Sequence, residues 1–237
     1  MLAYLTPVYG LVKYVLGEPL LARDDFMELL GVALEGAVRC IDFSPKFCAR
    51  DAVERYLARS QIQVGREFVR EVVAKAVEVL NSLVSDGAVP SRGLYEPPPY
   101  TLVYVAPEGE FLGLVGRPDA LDVHRGVFYE VKVVREEEWD AYREHSLMQA
   151  GLYRLIARPY DMEVKLVVAL LRGAVEVSRV ESYTPRSARI DTTYTYLVRM
   201  LRDGMLRQDE VRGEVAYAVR RGGRWVLRLK APGEGSC

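Results

Sequence analysis

Two short segments decide the fold: Gly116-Arg117-Pro118-Asp119 and Tyr129-Glu130-Val131-Lys132. Successive side chains of a β-strand point to opposite faces, so the acid and the lysine of the second segment share one face. If residues 123–126 form a four-residue hairpin loop, Asp119 lies directly opposite Glu130 on that face. A loop one residue longer or shorter would put the two acids on opposite faces. The segments therefore predict a β-hairpin whose loop length decides whether the acids meet.

The strand that carries Glu130 and Lys132 is otherwise apolar. Tyr129, Val131 and Val133 alternate with the charged pair, and they are expected to face a hydrophobic core. Exposed Glu–Lys pairs on strands are common, which gives the charges an ordinary structural explanation. A strand this apolar is more typical of an interior, where charges are costly unless they are paired or bound to a metal.

Two facing carboxylates repel each other, and a hard divalent cation relieves that repulsion. Asp119, Glu130, the backbone carbonyl of Val131 and water molecules can supply the oxygen ligands that Mg²⁺ or Mn²⁺ prefers. Lys132 would lie beside the metal-bound water, where it can orient that water, help to deprotonate it, or offset charge that develops on a phosphate. This is the chemistry of phosphodiester hydrolysis.

The remaining chain predicts an α/β protein with one small mixed sheet flanked by helices. Apolar spacing indicates helices in 61–85, 136–157 and 185–203, and residues 1–60 are expected to be helical pieces packed on the core as an N-terminal extension. The other segments are a Pro-rich connector at 90–99, β-rich runs at 101–106, 111–121 and 126–134, strands at 163–171 and 175–183, and a hairpin over 214–229.

The helix that follows Lys132 adds two polar residues at helical spacing. Gln149 and Tyr153 lie four positions apart, so they project from the same side of that helix. A glutamine there is either solvated or directed toward the acidic pair, and the presence of the charged triplet favours the second interpretation.

Gly-x-Pro-Asp, Glu-x-Lys and then Gln-x-x-x-Tyr resemble the PD-(D/E)XK nuclease superfamily. More narrowly, they are similar to its RecB-like branch, which includes CRISPR-associated exonucleases of spacer acquisition. The resemblance covers 101–157, about a quarter of the chain. It implies a restriction-endonuclease-like core over 61–237 behind the 1–60 extension. The implied catalytic residues are Asp119 and Glu130 as metal ligands, Lys132 as the catalytic lysine, and Gln149 and Tyr153 as the helix motif.

The chain departs from that family at one expected metal ligand. The family often has a histidine four residues after a glycine in the helix before the sheet, and here Gly65 is followed at that spacing by Val69. Glu67 and Glu71 are possible substitutes, although glutamates on a helix surface are usually solvated. Without this ligand, activity or two-metal binding is in doubt.

The cysteines also differ from the family pattern. Phe47-Cys48-Ala49-Arg50 is similar to a Cys-Pro-Arg segment of the CRISPR-associated branch, which binds an iron–sulfur cluster through four cysteines. This chain has only Cys40, Cys48 and Cys237, so a cluster would need a fourth, non-cysteine ligand. We expect Cys40 and Cys48 to be small core residues of a reduced, cytoplasmic chain and Cys237 to lie in a loose tail, and a cluster is disfavoured.

Composition limits the partners. The net charge of −1 excludes strong attraction of the whole chain to nucleic acid. The stretch 184–230, however, has eleven Arg or Lys and only five Asp or Glu. That stretch either contacts DNA phosphates or pairs with acids elsewhere, and five arginines are candidates for DNA contacts: Arg199, Arg202, Arg220, Arg221 and Arg224. No apolar run is long enough to span a membrane. One asparagine and four glutamines suggest a thermophilic source.

Two functions follow as expectations. The first is metal-dependent, exonuclease-type cleavage of DNA, with single strands or frayed ends as substrate, in CRISPR adaptation, and so in antiviral defence, or in DNA repair. CRISPR adaptation proteins are then expected partners. The second is a nuclease-fold module that no longer cuts and serves in DNA binding or assembly. The sequence leaves the oligomeric state open.

Overall fold

The structure is a computed structural model that describes residues 2–19, 24–105, 109–173, 176–186, 188–210, 215–221 and 224–229, the last two ranges through their backbone. Its helices are α1 (Val8–Leu16), α2 (Asp25–Arg39), α3 (Pro45–Leu57), α4 (Arg66–Ser85), α5 (Trp139–Ala157) and α6 (Ile190–Arg202). Its strands are β1 (Leu2–Pro7), β2 (Leu94–Tyr95), β3 (Tyr100–Val105), β4 (Phe111–Gly116), β5 (Ala120–Asp122), β6 (Val127–Arg135), β7 (Glu163–Arg172), β8 (Glu176–Tyr183), β9 (Arg207–Glu210), β10 (Val215–Arg221) and β11 (Arg224–Leu229).

The described strands form two mixed sheets. Sheet A has the order β10-β11-β3-β4-β1-β9, and sheet B has the order β2-β5-β6-β7-β8. Each sheet contains one parallel pair, β1 with β4 and β6 with β7, and its other pairs are antiparallel. The predicted α/β class, with mixed sheets flanked by helices, is confirmed, and the architecture agrees with a restriction-endonuclease-like core. The expectation of a single sheet is wrong, because the described strands divide between two.

Sheet B is covered on both faces. Its inner face packs with α1, α5, α6 and sheet A in one apolar core, which includes Leu121, Phe128 and Val134. Its outer face packs against α2, α3 and α4, and there the core includes Tyr129, Val131 and Val133. The predicted apolar side of β6 is therefore confirmed, because these alternate residues face the three-helix layer.

The first residues of the chain form a strand, not a helix. β1 pairs with β4 and β9 inside sheet A, so the expectation that residues 1–60 are wholly helical is wrong for Leu2–Pro7. Its partners lie about a hundred residues or more away in sequence, and local apolar spacing does not reveal such pairing. Gly113 accommodates this strand, because a Cβ at that position would lie 2.0 Å from Leu5 Cδ2. The division of the chain at residue 60 stays a prediction.

Smaller differences concern element ends. The Pro-rich connector includes the short strand β2, and the last predicted helix begins at Ile190, not at Pro185. No helix among the described residues is long and apolar enough to cross a membrane.

Candidate functional site

The register of the β5–β6 hairpin brings the two predicted acids together. Asp122 pairs with Val127, which leaves residues 123–126 as the loop, and Ala120 pairs with Tyr129. One step further along this register, Asp119 lies opposite Glu130. The Asp119 carboxylate also accepts a hydrogen bond from the Val131 N–H through Oδ2 at 2.8 Å. Both acids are buried, with 4% and 1% of their surfaces exposed.

The two carboxylate oxygens of Glu130 differ in their hydrogen bonds. Lys132 Nζ donates to Oε1 at 2.5 Å, and Gln149 Nε2 donates to the same oxygen at 2.7 Å. Among the described residues, the buried Oε2 has no hydrogen-bond partner. Unpaired buried polar atoms are rare and point to strain, catalysis or a missing ion. This oxygen is therefore the natural position for a bound cation.

The helix motif contacts this acid, as its spacing suggested. Besides binding Glu130, Gln149 Nε2 lies 3.3 Å from Tyr153 Oη, and Tyr153 Oη donates to the Arg117 carbonyl at 3.4 Å. Gly116 makes room for the ring, because a Cβ there would lie 2.5 Å from Tyr153 Cε1. The Gly-x-Pro-Asp segment and α5 thus hold each other in place around Glu130.

Helix α2 adds two charged residues to the cluster. Arg39 Nε donates to the Asp119 carbonyl at 3.3 Å, and the Arg39 guanidinium lies 3.9 Å from Asp119 Oδ1. The same guanidinium lies 3.5 Å from the Glu35 carboxylate. Arg39 therefore positions the Asp119 loop while leaving Oδ1 outside normal hydrogen-bond distance.

Charge is crowded in this cluster. Burial raises the pKa of Glu130 to about 8, with the Asp119 carboxylate adding to the rise and Lys132 opposing it. Partial burial and the Asp119 carboxylate raise the pKa of Glu35. Burial has the largest single effect on the pKa of Lys132 and lowers it, but the neighbouring acidic groups, Glu130 first among them, together outweigh burial, so the net shift is upward. Burial and mutual repulsion therefore disfavour the charged forms of these carboxylates, which is the situation that a divalent cation relieves.

A cleft of about 440 Å³ leads to the cluster. Lys132 and Gln149 form its floor, and Glu35, Tyr9 and Tyr142 are among its walls. Glu35 keeps 40% of its side chain exposed there. Solvent and a small part of a substrate therefore have a route to the catalytic candidates.

The donor set fits one Mg²⁺ or Mn²⁺ ion held partly by water. Among the described residues, no three His, Cys, Asp or Glu side chains form a ready-made metal cluster. Mg²⁺ commonly binds through one or two carboxylates and keeps several waters. Two oxygens remain for the ion: Glu130 Oε2, which has no partner among the described residues, and Asp119 Oδ1, which has a 3.9 Å ion-pair contact with Arg39. The Val131 carbonyl stays a predicted third ligand.

Glu35 was not among the site residues predicted from the sequence. Val69 is buried in α4, and Glu67 and Glu71 are exposed on that helix, so neither substitutes for the missing histidine. The signal was nevertheless present in α2, because Gly31 is followed four residues later by Glu35. That is the family's glycine spacing, with a glutamate in place of the histidine.

Cys40 and Cys48 form a disulfide. The expectation of two reduced core cysteines is wrong for this pair. Gly36 explains the approach of α3 to α2, because a Cβ there would lie 2.6 Å from the Cys48 carbonyl oxygen. Cys237 lies outside the described residues. Two of the three cysteines are therefore bonded to each other in the described part of the chain. The iron–sulfur cluster and the cellular compartment stay predictions.

The arginines proposed for DNA contacts lie in two places. Arg199 and Arg202 are exposed near the end of α6, with the Arg199 guanidinium 5.6 Å from the Tyr196 ring centre. Arg220, Arg221 and Arg224 lie in β10 and β11, and their side chains are outside the described part of the structure. A DNA-binding role for all five stays a prediction.

No model of a known family matches the sequence, and no curated protein matches it. Among solved structures, the chain is similar to a protein named SSO0001, with 12% identity over 83% of this chain and 82% of that one and a TM-score of 0.35. It is also similar to a phage-related exonuclease from Haemophilus somnus 129PT, with 11% identity over 73% of this chain and 96% of that one and a TM-score of 0.31. Both TM-scores are too low to support a functional argument.

Proposed function

We propose that this protein is a metal-dependent nuclease that hydrolyses phosphodiester bonds in DNA. The main support is the pairing of Asp119 with Glu130. In each carboxylate, one oxygen accepts a hydrogen bond from the protein, and the other accepts none among the described residues. The ammonium of Lys132 lies within the same cluster. Few buried arrangements combine spare anionic oxygens with an adjacent cation unless they bind a metal and a charged substrate.

In this proposal, a bound Mg²⁺ or Mn²⁺ would polarise the phosphate and lower the pKa of the attacking water. Asp119 and Glu130 hold that ion, and Gln149 fixes the orientation of Glu130. Lys132 orients the water and offsets the negative charge that develops on the phosphate. Tyr153 acts through Gln149 and the Arg117 carbonyl as a positioning residue.

The substrate and setting are the finer part of the proposal. Exonuclease-type action on single strands or frayed ends, in CRISPR adaptation or DNA repair, follows from the family resemblance of the motifs. CRISPR adaptation proteins are the partners expected in the first setting, and a cytoplasmic location suits both.

A second candidate is a nuclease-fold module that binds DNA or assembles without cutting. It is favoured by the lack of a three-ligand metal cluster in the described residues.

One experiment separates the two candidates. Cleavage of a fluorescent single-stranded oligonucleotide is followed during Mg²⁺ and Mn²⁺ titrations for the wild type and for Lys132→Ala, while binding is measured with Ca²⁺ in place of the active metal. A nuclease cuts only with metal and loses that activity, but not its DNA binding, in Lys132→Ala. A wild type that binds but never cuts above background establishes the second candidate.

A further inference from the structure

Three aromatic side chains near the candidate site are exposed to solvent. Phe43 is 86% exposed, Phe47 is 62% exposed and Tyr95 is 48% exposed. Isolated exposed apolar residues are ordinary, but a cluster of large aromatic ones marks an interaction surface. We call Phe43, Phe47 and Tyr95 the aromatic rim.

Two chain segments that run side by side hold the rim together. The Asp42 carboxylate accepts the Gly93 N–H at 2.9 and 2.8 Å, and the Arg39 guanidinium lies 3.7 Å from Glu96. Segments 39–42 and 93–96 therefore lie against each other, and Tyr95 stands between the two contact residues Gly93 and Glu96. The Cys40–Cys48 disulfide ties the segment that bears Phe43 to the first turns of α3, where Phe47 lies.

One residue of the rim, Tyr95, projects on the face of sheet B that carries the catalytic candidates, whereas Phe43 follows α2 and Phe47 lies in α3, two of the helices that cover the other face. Tyr95 pairs with Leu121, and Leu121 pairs with Phe128. Paired residues share a face, and residues two apart on one strand also share a face. Tyr95 therefore projects on the face that carries Asp119 and Glu130. The Arg39–Glu96 contact connects the rim directly to the loop of Asp119.

Basic side chains flank the rim. Lys46 precedes Phe47, and Arg92 precedes the segment of Tyr95; both are exposed, and neither has an ion-pair partner among the described residues. Two nearby acids are already engaged, since Asp42 binds Gly93 and Glu96 lies 2.8 Å from Arg117. The surface thus combines aromatic rings with two exposed cations that form no ion pair among the described residues.

We propose that the aromatic rim binds single-stranded DNA by stacking on its unpaired bases, while Lys46 and Arg92 contact its phosphates. Rings that stack on bases beside cations that follow the backbone are the usual basis of single-strand binding. A duplex hides its base faces and gains little from such a surface. The two cations favour a nucleic acid over an apolar protein partner, and the short path to Asp119 favours a strand that enters the site.

This inference rests on the proposed nuclease function for its biological meaning, but its test is independent of cleavage. Binding of a fluorescent oligothymidylate and of a matched duplex is measured by anisotropy with Ca²⁺, for the wild type and for Phe43→Ala/Phe47→Ala. Met205→Ala is the matched control, because Met205 is also exposed, at 56%, but lies after α6. A second variant, Phe43→Trp/Phe47→Trp, restores the flat surfaces.

Loss of one base–aromatic stack weakens binding by about tenfold. We expect the alanine double variant to lose at least that much affinity for the single strand, with a change of less than about twofold for the duplex. The tryptophan variant should recover the affinity, and Met205→Ala should match the wild type. Unchanged single-strand binding, or an equal loss for both DNA forms, overturns the proposal. So does a change in self-association without a change in DNA affinity, which would make the rim a protein-docking surface.

Hydrolysis of bis(p-nitrophenyl) phosphate with Mn²⁺ separates the two proposals. This small ester has no base to stack, so the alanine double variant should hydrolyse it at the wild-type rate. A wild type that binds single strands through the rim but hydrolyses no ester would refute the nuclease proposal and leave the rim intact. A wild type that hydrolyses the ester but binds single strands independently of the rim would refute the rim proposal and leave the nuclease proposal intact.

Discussion

Asp122 and Glu130 are buried carboxylates on neighbouring strands of sheet B, and their surroundings differ sharply. Asp122, 4% exposed, accepts the Arg125 N–H through Oδ1 at 3.0 Å, and its Oδ2 lies 3.7 Å from Arg125 Nε. Both of its oxygens serve the hairpin loop. Glu130 has two donors on one oxygen and none, within the described residues, on the other.

The contrast distinguishes a structural acid from a functional one. A carboxylate that closes a loop is neutralised locally by the residues it orders. Glu130 lies among Asp119, Glu35 and Lys132, and burial, with the Asp119 carboxylate adding to it, raises the pKa of Glu130. Burial alone does not distinguish a functional acid. A carboxylate oxygen without a hydrogen-bond partner, in a cluster of charged residues, does.

The largest expected effect is on cleavage. Asp119→Asn and Glu130→Gln each remove a charged metal ligand while keeping the side-chain shape, so DNA hydrolysis should fall by about a thousandfold or more. Asp122→Asn should stay within about threefold of the wild type and lose about 1–3 kcal/mol of stability. Initial rates at saturating Mn²⁺, with urea unfolding as the second readout, check both. Equal losses of activity for Asp122 and Glu130 would remove the distinction between them.

The next effect is on the pH dependence of stability without metal. The native protein holds a proton on Glu130 that the unfolded chain releases, because burial raises the pKa of this group from 4.5 to about 8. Its contribution is therefore complete below the unfolded pKa and is lost as the pH rises toward 8. Relative to Glu130→Gln, the wild type should lose up to about 1.4 kcal/mol of unfolding free energy per pH unit in this window.

Urea titrations between pH 5 and pH 8 in EDTA measure this difference. Asp122→Asn serves as the control, and its profile should run parallel to that of the wild type. Parallel profiles for the wild type and Glu130→Gln would contradict the assignment of the raised pKa to Glu130.

The smallest effect concerns helix glutamates. Glu35 lies close enough to Asp119 and Lys132 to interact with their charges, whereas Glu67 is exposed on α4. Glu35→Gln should weaken Mn²⁺ binding about tenfold, which is typical of a residue that contacts the metal ligands but not the metal itself. Glu67→Gln should leave it unchanged. Calorimetric titration of both variants tests this ranking, and equal affinities would remove Glu35 from the site.

The sequence predicted the parts of the site that depend on local regularity. The alternation along β6 fixed the faces of Glu130 and Lys132, and the loop length fixed the register of Asp119. Helical spacing likewise put Gln149 and Tyr153 on one side of α5, where both are buried at the site. Each of these follows from a period of two or of 3.6 residues.

The parts that were missed depend on contacts between distant segments. β1 became a strand because β4 and β9 flank it, and Glu35 belongs to the site because α2 packs on the outer face of sheet B. The Cys40–Cys48 bond depends on the close approach of two helices at Gly36. None of these contacts leaves a periodic signal, although Glu35 follows Gly31 at the spacing expected between the glycine and the missing histidine.

The most direct test of the central claim is anomalous diffraction from crystals soaked in Mn²⁺. The account predicts a single strong peak about 2–2.5 Å from Asp119 Oδ1 and Glu130 Oε2, and its loss in crystals of Glu130→Gln. A well-ordered site with no peak between these two oxygens, at a Mn²⁺ concentration that supports cleavage, would contradict it.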